Sequence, residues 1–135
     1  GDGVNLAARL ERSTKLYKVS VLISESTKNS LHDKYLLREL DWIRVKGKDE
    51  PIAIFEVVDA YEYGKTRTIN ENLEKFQEAL GYYRKQEWEK GSDIFLQLVY
   101  NAQDPVSALF LERCRYFQDN PPSKDWDGVW VMTTK

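Results

Sequence analysis

The chain holds one cysteine and one histidine in 135 residues. Cys114 alone makes no internal disulfide, which suits a reducing compartment. One Cys and one His are too few for a Cys/His zinc site or a Cys–His nucleophilic dyad. Positive charge is not in excess: Lys and Arg number 20 against 22 Asp and Glu, a formal net charge of −2. That balance lacks the basic footprint of a nucleic-acid binder, so no nucleic-acid partner is expected. Long apolar runs are missing too. Val19–Ile23 and Ile94–Tyr100 are too short or too interrupted to span a bilayer, and no membrane contact is expected within this chain. There is no basic start followed by an apolar run, so no signal peptide is visible, and a cytoplasmic location is expected.

What is present is core material. Hydrophobic residues make up 41% and aromatics 13%, enough to fill one ordinary domain or two small ones. The sequence begins with Gly1 rather than Met and enters a Gly-Asp-Gly turn and a helical pattern at once. We read it as the C-terminal part of a longer protein, with any upstream anchor or sensor outside its reach.

Two halves differ in composition. Residues 1–60 alternate helical and strand patterns, and residues 61–72 are polar and read as a linker. Residues 73–135 read as a helical tail with a short terminal strand. In the first half, Leu6, Leu10 and Tyr17 share one stripe of a helix from Val4 to Tyr17. Lys18–Ser24 reads as a short buried strand, and Ser24 or Ser26 can cap a short helix through Leu31. Tyr35–Lys46 and Pro51–Val58 read as two strands joined by Gly47–Glu50. The second strand is apolar on both faces and so is expected to be central or covered on both sides. This order of helix, strand, helix, strand, strand predicts an α+β or α/β fold and not a bundle or sandwich, and α+β is the class expected. In the second half, Leu73, Phe76, Leu80 and Tyr83 share one helix face, and Trp88, Gly91, Phe95 and Leu98 share another. Asp104-Pro105 opens a third helix through Ala108, Leu111 and Tyr116, and Asn120-Pro-Pro122 stops it.

Two segments could carry chemistry. In Gly1-Asp-Gly-Val-Asn-Leu-Ala-Ala-Arg-Leu10 a glycine-containing turn enters a helix, a setting that offers free backbone N–H groups and the positive end of the macrodipole to a phosphate. Asn5 and Arg9 are four apart and share a face, so an amide and a guanidinium could hold a sugar oxygen and a phosphate together. The same pattern is equally that of a capped helix with a solvated Arg. In Arg44-Val-Lys-Gly-Lys-Asp-Glu-Pro51 two lysines flank a glycine in a hairpin loop, which could approach a polyphosphate or be a soluble charged turn.

Taken together, these segments carry a resemblance. Gly1 to Glu11, Val21-Leu-Ile-Ser-Glu25, Arg38-Glu-Leu-Asp41, Arg44-Val-Lys-Gly-Lys48 and Pro51-Ile-Ala-Ile-Phe-Glu-Val57 resemble the C-terminal half of a class III adenylate/guanylate cyclase catalytic domain, across residues 1–60 without a gap. The resemblance implies half of a ferredoxin-like cyclase domain. It implies ATP as substrate, with ATP over GTP not fixed by these residues, and conversion to cyclic AMP and pyrophosphate. By motif match, Asn5 would orient the ribose, Arg9 would stabilise the transition state, and Lys46 would contact the terminal phosphates. It also implies two Mg2+ or Mn2+ ions whose carboxylate ligands lie upstream, so Asp2 is not taken as a metal ligand. A homodimer through the cyclase domain follows from the same resemblance, as does an inactive fragment when this chain stands alone.

The second half is similar, more distantly, to a tetratricopeptide repeat, through Ala79, Tyr82, Gly91, Phe95 and Leu98. The Pro-Pro…Trp-Asp-Gly pattern resembles helical segments that follow bacterial cyclase domains. The rival reading is a non-catalytic interaction module, in which the tail binds a protein partner. His32 in its polar turn and Cys114 on the third helix are expected to be a solvated residue and an inert packed one.

Overall fold

The computed structural model describes residues 10, 12–31, 35–45, 49–60 and 66–132. The chain divides into two compact units. One comprises residues 1–62 and 129–135, and the other residues 63–128. The architecture is mixed α+β, with one four-stranded sheet and five helices among the described residues.

In the sheet unit the first described helix, α1, covers residues 12–17. It stops because Lys18 turns into the left-handed region at φ 56°, and the Val19 N–H then reaches back 3.1 Å to the Thr14 carbonyl. That closure satisfies a helix-end acceptor, and Val19 is buried beside it. Strand β1 (Leu22–Ser24) follows, and Ser24 then caps helix α2 (Glu25–Ser30) by accepting from the Thr27 N–H. Glu25 sits in the first turn of α2, where negative charge meets the positive end of the helix dipole. The strand expected over Lys18–Ser24 is shorter, Leu22–Ser24 with the Val21 carbonyl accepting from the Val57 N–H at 3.1 Å, because Lys18 and Val19 are used to close α1.

Strands β2 (Tyr35–Val45) and β3 (Ile52–Ala60) form an antiparallel hairpin. Strand β4 (Trp130–Met132) joins them, and the sheet order is β1-β3-β2-β4. β3 is therefore an inner strand, in line with its double-sided apolar pattern, and its neighbours Ile54 and Phe55 are both buried. Lys28 of α2 places its ammonium 4.7 Å from the centre of the Phe55 ring. The register shifts between Glu39 and Asp41, which leaves Leu40 as an extra residue on β2. This bulge puts Asp41 opposite Ile54, on the same face as the Arg38–Glu56 pair. Tyr17, Leu22, Leu40, Ile43 and Ile54 fill the core of this unit.

In the helical unit, α3 (Thr66–Arg84), α4 (Trp88–Ala102) and α5 (Pro105–Asp119) follow in order. Residues 66–72, polar enough to read as a linker, are helical. α3 turns into α4 through Gln86 at φ 64°. Gly91 of α4 lies so close to α3 that a Cβ there would sit 3.4 Å from the Ala79 carbonyl oxygen. Asp104 caps α5 by accepting from the Val106 and Ser107 N–H groups, each at 3.2 Å, and Pro105 takes the first turn, where a missing N–H costs nothing.

The buried faces of α3 and α4 carry Phe76, Leu80 and Tyr83, and Trp88, Gly91, Phe95 and Leu98, as the spacing predicts. α5 differs. Tyr116 is 57% exposed and Ala108 is exposed, while Val106, Phe110, Cys114 and Phe117 are buried. Leu111 is buried as well, and the larger aromatics, Phe110 and Phe117, make up most of the inward face. The short segment expected to end the helical tail also has a different place: β4 pairs in parallel with β2, in the sheet unit.

Candidate functional site

Asn5, Arg9 and Lys46 lie outside the described residues, as does His32. What is described is the framework around them: the end of the helix that follows Arg9, and the two stems of the hairpin loop that carries Lys46.

The helix end is locked to β2 by a polar contact in the core. The Tyr17 hydroxyl donates to Asp41 Oδ2 at 2.6 Å, and Asp41 Oδ1 accepts from the Trp42 N–H at 2.9 Å. Tyr17 and Asp41 are both fully buried. A buried carboxyl group is stable only when its oxygens find donors, so this pairing fixes α1 against the strand that leads to Lys46. Asp41 reaches Tyr17 because the Leu40 bulge turns it to that face.

The stems of the loop are also tied. Arg44 Nε donates to the Asp49 carbonyl at 2.9 Å, across the base of the loop. Ile43 pairs with Ile52 in the antiparallel ladder and with Trp130 of β4 in the parallel one. Farther along the hairpin, Arg38 and Glu56 face each other across the strands, with Nη2 to Oε1 at 2.7 Å and Nε to Oε1 at 2.9 Å. Both side chains are largely shielded, so this ion pair is less screened than a surface one. The sequence pattern singled out neither the Tyr17–Asp41 contact nor the Arg38–Glu56 pair. A charged residue at a strand position otherwise apolar was the available signal for both.

Among the described residues no group of three or more His, Cys, Asp and Glu side chains could hold a metal ion. Among the same residues no helix is long and apolar enough to cross a membrane. The Cys114 thiol of the helical unit is pushed up from its ordinary 9.0 to about 11. Burial is the main cause, and the nearby Ser92 hydroxyl and Arg113 charge pull it down by less. A thiol in that state is a packing group and not a nucleophile.

Comparison with known proteins adds what the geometry cannot. No family model matches the chain, and no solved structure matches it. The chain is 47% identical over 60 residues to the adenylate cyclase of Anabaena cylindrica, a match covering 42% of this chain and 12% of that protein. It is 30% identical over 118 residues to the terminal-differentiation-specific adenylate cyclase of Dictyostelium discoideum, covering 84% of this chain and 6% of that protein. The chain has relatives named adenylate cyclase. They support a cyclase-related function. The chain spans only a small part of the length of either. The 118-residue match is longer than the sheet unit, so the likeness extends into the helical unit as well.

Proposed function

We propose that this chain is the C-terminal half of a class III adenylate cyclase catalytic domain, followed by a tetratricopeptide-like helical unit, within a longer protein that converts ATP to cyclic AMP and pyrophosphate. The observation that carries the reading is the pair of relatives named adenylate cyclase, one of them 47% identical over 60 residues.

In this reading the ribose 3′-oxygen attacks the α-phosphorus of ATP. A new O3′–P bond forms, the bond from the α-phosphorus to the bridging oxygen breaks, and pyrophosphate leaves with that electron pair. The 3′-hydroxyl proton passes to solvent water. Negative charge grows on the α-phosphate and the leaving oxygens, and a positioned guanidinium stabilises it more in the transition state than in the bound substrate. Arg9 takes that role. Asn5 orients the ribose, and Lys46 holds the terminal phosphates as a point charge. Tyr17–Asp41 and the Arg44–Asp49 tie support the two segments that carry these residues. Two divalent ions, Mg2+ or Mn2+, belong to this reaction. The described residues offer no ligand cluster for them, the reading puts their carboxylates upstream, and the steps assigned to this chain do not run through them. The site is completed across a homodimer, in a cytoplasmic setting that supplies ATP.

The test is made in the longer protein. Arg9→Ala lowers kcat by roughly 10²–10³ with a smaller change in KM, the pattern of a transition-state contact. The 135-residue chain by itself, given ATP with Mg2+ or Mn2+, makes only background cyclic nucleotide. Unchanged turnover in the Arg9 variant overturns the reading and favours the rival, a non-catalytic module whose helical unit binds a protein partner.

A further inference from the structure

We propose that β4 is a positioning strand for the hairpin that carries Lys46, an inference that rests on the cyclase reading of that residue. Ile43, Arg44 and Val45, the last residues of β2, pair in parallel with Trp130, Val131 and Met132. The residue that follows Val45 is Lys46. On the other side, Ile43 and Trp42 pair with Ile52 and Ala53 of β3. Ile43 is thus gripped from both sides, Arg44 and Val45 are paired by β4, and Arg44 closes the loop base onto Asp49.

Without β4 the end of β2 would be an edge, with backbone N–H and C=O groups unpaired on one side and free to twist. A three-residue strand does not persist alone. This one is held by Val129 and Met132, both buried, while Val131 between them is 45% exposed. A parallel partner also needs a long crossover, because it cannot be reached by a tight turn. Here the crossover is the whole helical unit, residues 63–128, which runs between β3 and β4. The chain therefore returns, after three helices, to the last residues of the strand that leads into the Lys46 loop. A strand used only to close a sheet edge could pair anywhere along the 11 residues of β2. This one pairs at the loop end.

The test uses the longer protein and the variants Trp130→Pro and Val131→Pro. Along a paired strand successive N–H groups point to opposite sides, so one of the two substitutions removes a donor that faces β2. Hydrogen exchange should quicken at Ile43–Val45 while α3, α4 and α5 keep their protection. KM for ATP should rise by up to about tenfold, the scale of one weakened hydrogen bond, with kcat changed less. Because the strand acts through Lys46, the KM effect should largely vanish when the substitution is made on a Lys46→Ala background. Met132→Ala, which removes the buried anchor and keeps the backbone donors, should give the same pattern at smaller size if either proline variant fails to fold. A Lys46→Ala effect on KM with none from the β4 variants overturns the positioning role alone. Full additivity of the two changes, or loss of protection in α3–α5, does the same, since β4 would then be a folding element. No KM effect from Lys46→Ala overturns the assignment of Lys46 and the positioning role with it.

Discussion

The Tyr17 hydroxyl donates a 2.6 Å hydrogen bond to Asp41 Oδ2, and neither side chain reaches solvent. The contact spans from the last turn of α1 to the middle of β2, joining the two segments that lead to Arg9 and Lys46. Tyr17→Phe keeps the ring and removes the donor, leaving a buried carboxyl oxygen without that bond. The expected loss is about 1–3 kcal/mol, read from the urea midpoint. Asp41→Asn, combined with it in a double-mutant cycle, should show strong non-additivity, because the two changes act on one bond. An unchanged midpoint in Tyr17→Phe would show that the hydroxyl contributes nothing to holding α1 on the sheet.

Two glycines in the helical unit separate backbone propensity from packing. Around Gly81, inside α3, a Cβ would meet nothing within 4 Å. Gly81→Ala should therefore stabilise by about 0.5–1 kcal/mol through helix propensity alone. At Gly91 an added Cβ would meet the Ala79 carbonyl at 3.4 Å and Tyr82 Cβ at 3.6 Å, which is ordinary contact. Alanine there should be tolerated, whereas Gly91→Leu should push α4 off α3 and cost about 1–3 kcal/mol. Equal melting temperatures for Gly91→Ala and Gly91→Leu would show that the α3–α4 approach is not tight.

Much of the framework was legible in the residues. Periodicity located α3 and α4 and their buried faces, Asp104-Pro105 marked the start of α5, and the apolar Ile52–Val58 run pointed to an inner strand. Of the α5 residues Ala108, Leu111 and Tyr116, only Leu111 is buried, since helical spacing alone does not say which side faces the core. Packing against Tyr83 and Trp88 brings Phe110 and Phe117 to the same buried side. The partner of β4 was not legible, since a parallel pairing across an inserted unit leaves no local signal in a three-residue segment. The bulge at Leu40 was hidden for a similar reason: it is defined by the partner strand. Of the site, Asn5, Arg9 and Lys46 came from motif resemblance. No periodicity argument reaches them, because a solvated Arg on a capped helix has the same spacing.

Cys114 should be inert in the folded protein. Its thiol is pushed up to about 11, so at pH 8 a thiol reagent should label the unfolded chain quickly and the native one very slowly. The raised value also sets the sign of a pH effect. The native state holds this proton more tightly than the unfolded state, whose value is near 9.0. The stabilisation is therefore complete below about 9 and is lost as pH rises through about 11. Between pH 8 and 10.5 the wild-type urea midpoint should fall more steeply than that of Cys114→Ala. The difference between the two slopes isolates this group from other residues that titrate in the range. Parallel slopes would contradict the raised value.

Trp88 tests how the helical unit holds together. Its ring stacks on Phe117 at 5.0 Å between centres and lies edge-on to Tyr83 at 5.6 Å, with Trp126 at 5.7 Å. It thus ties the start of α4 to the end of α3, the end of α5 and the segment beyond it. Truncation to alanine removes a nearly buried indole and leaves a cavity among aromatic rings that are themselves held in place by it. The expected loss is about 3–5 kcal/mol, and Trp88→Phe should recover part of it by keeping the stack on Phe117. Asn5, Arg9 and Lys46 are chemically untouched by either change. In the longer protein any fall in cyclic AMP output from Trp88→Ala should therefore follow unfolding or misassembly, and should be reduced by cooling or by the Phe variant. Thermal unfolding and cyclase rate measured on the same preparations decide the matter. A variant that melts like wild type yet makes no cyclic AMP would place Trp88 in a regulatory or catalytic contact, and its role as a core residue of the helical unit would have to be given up.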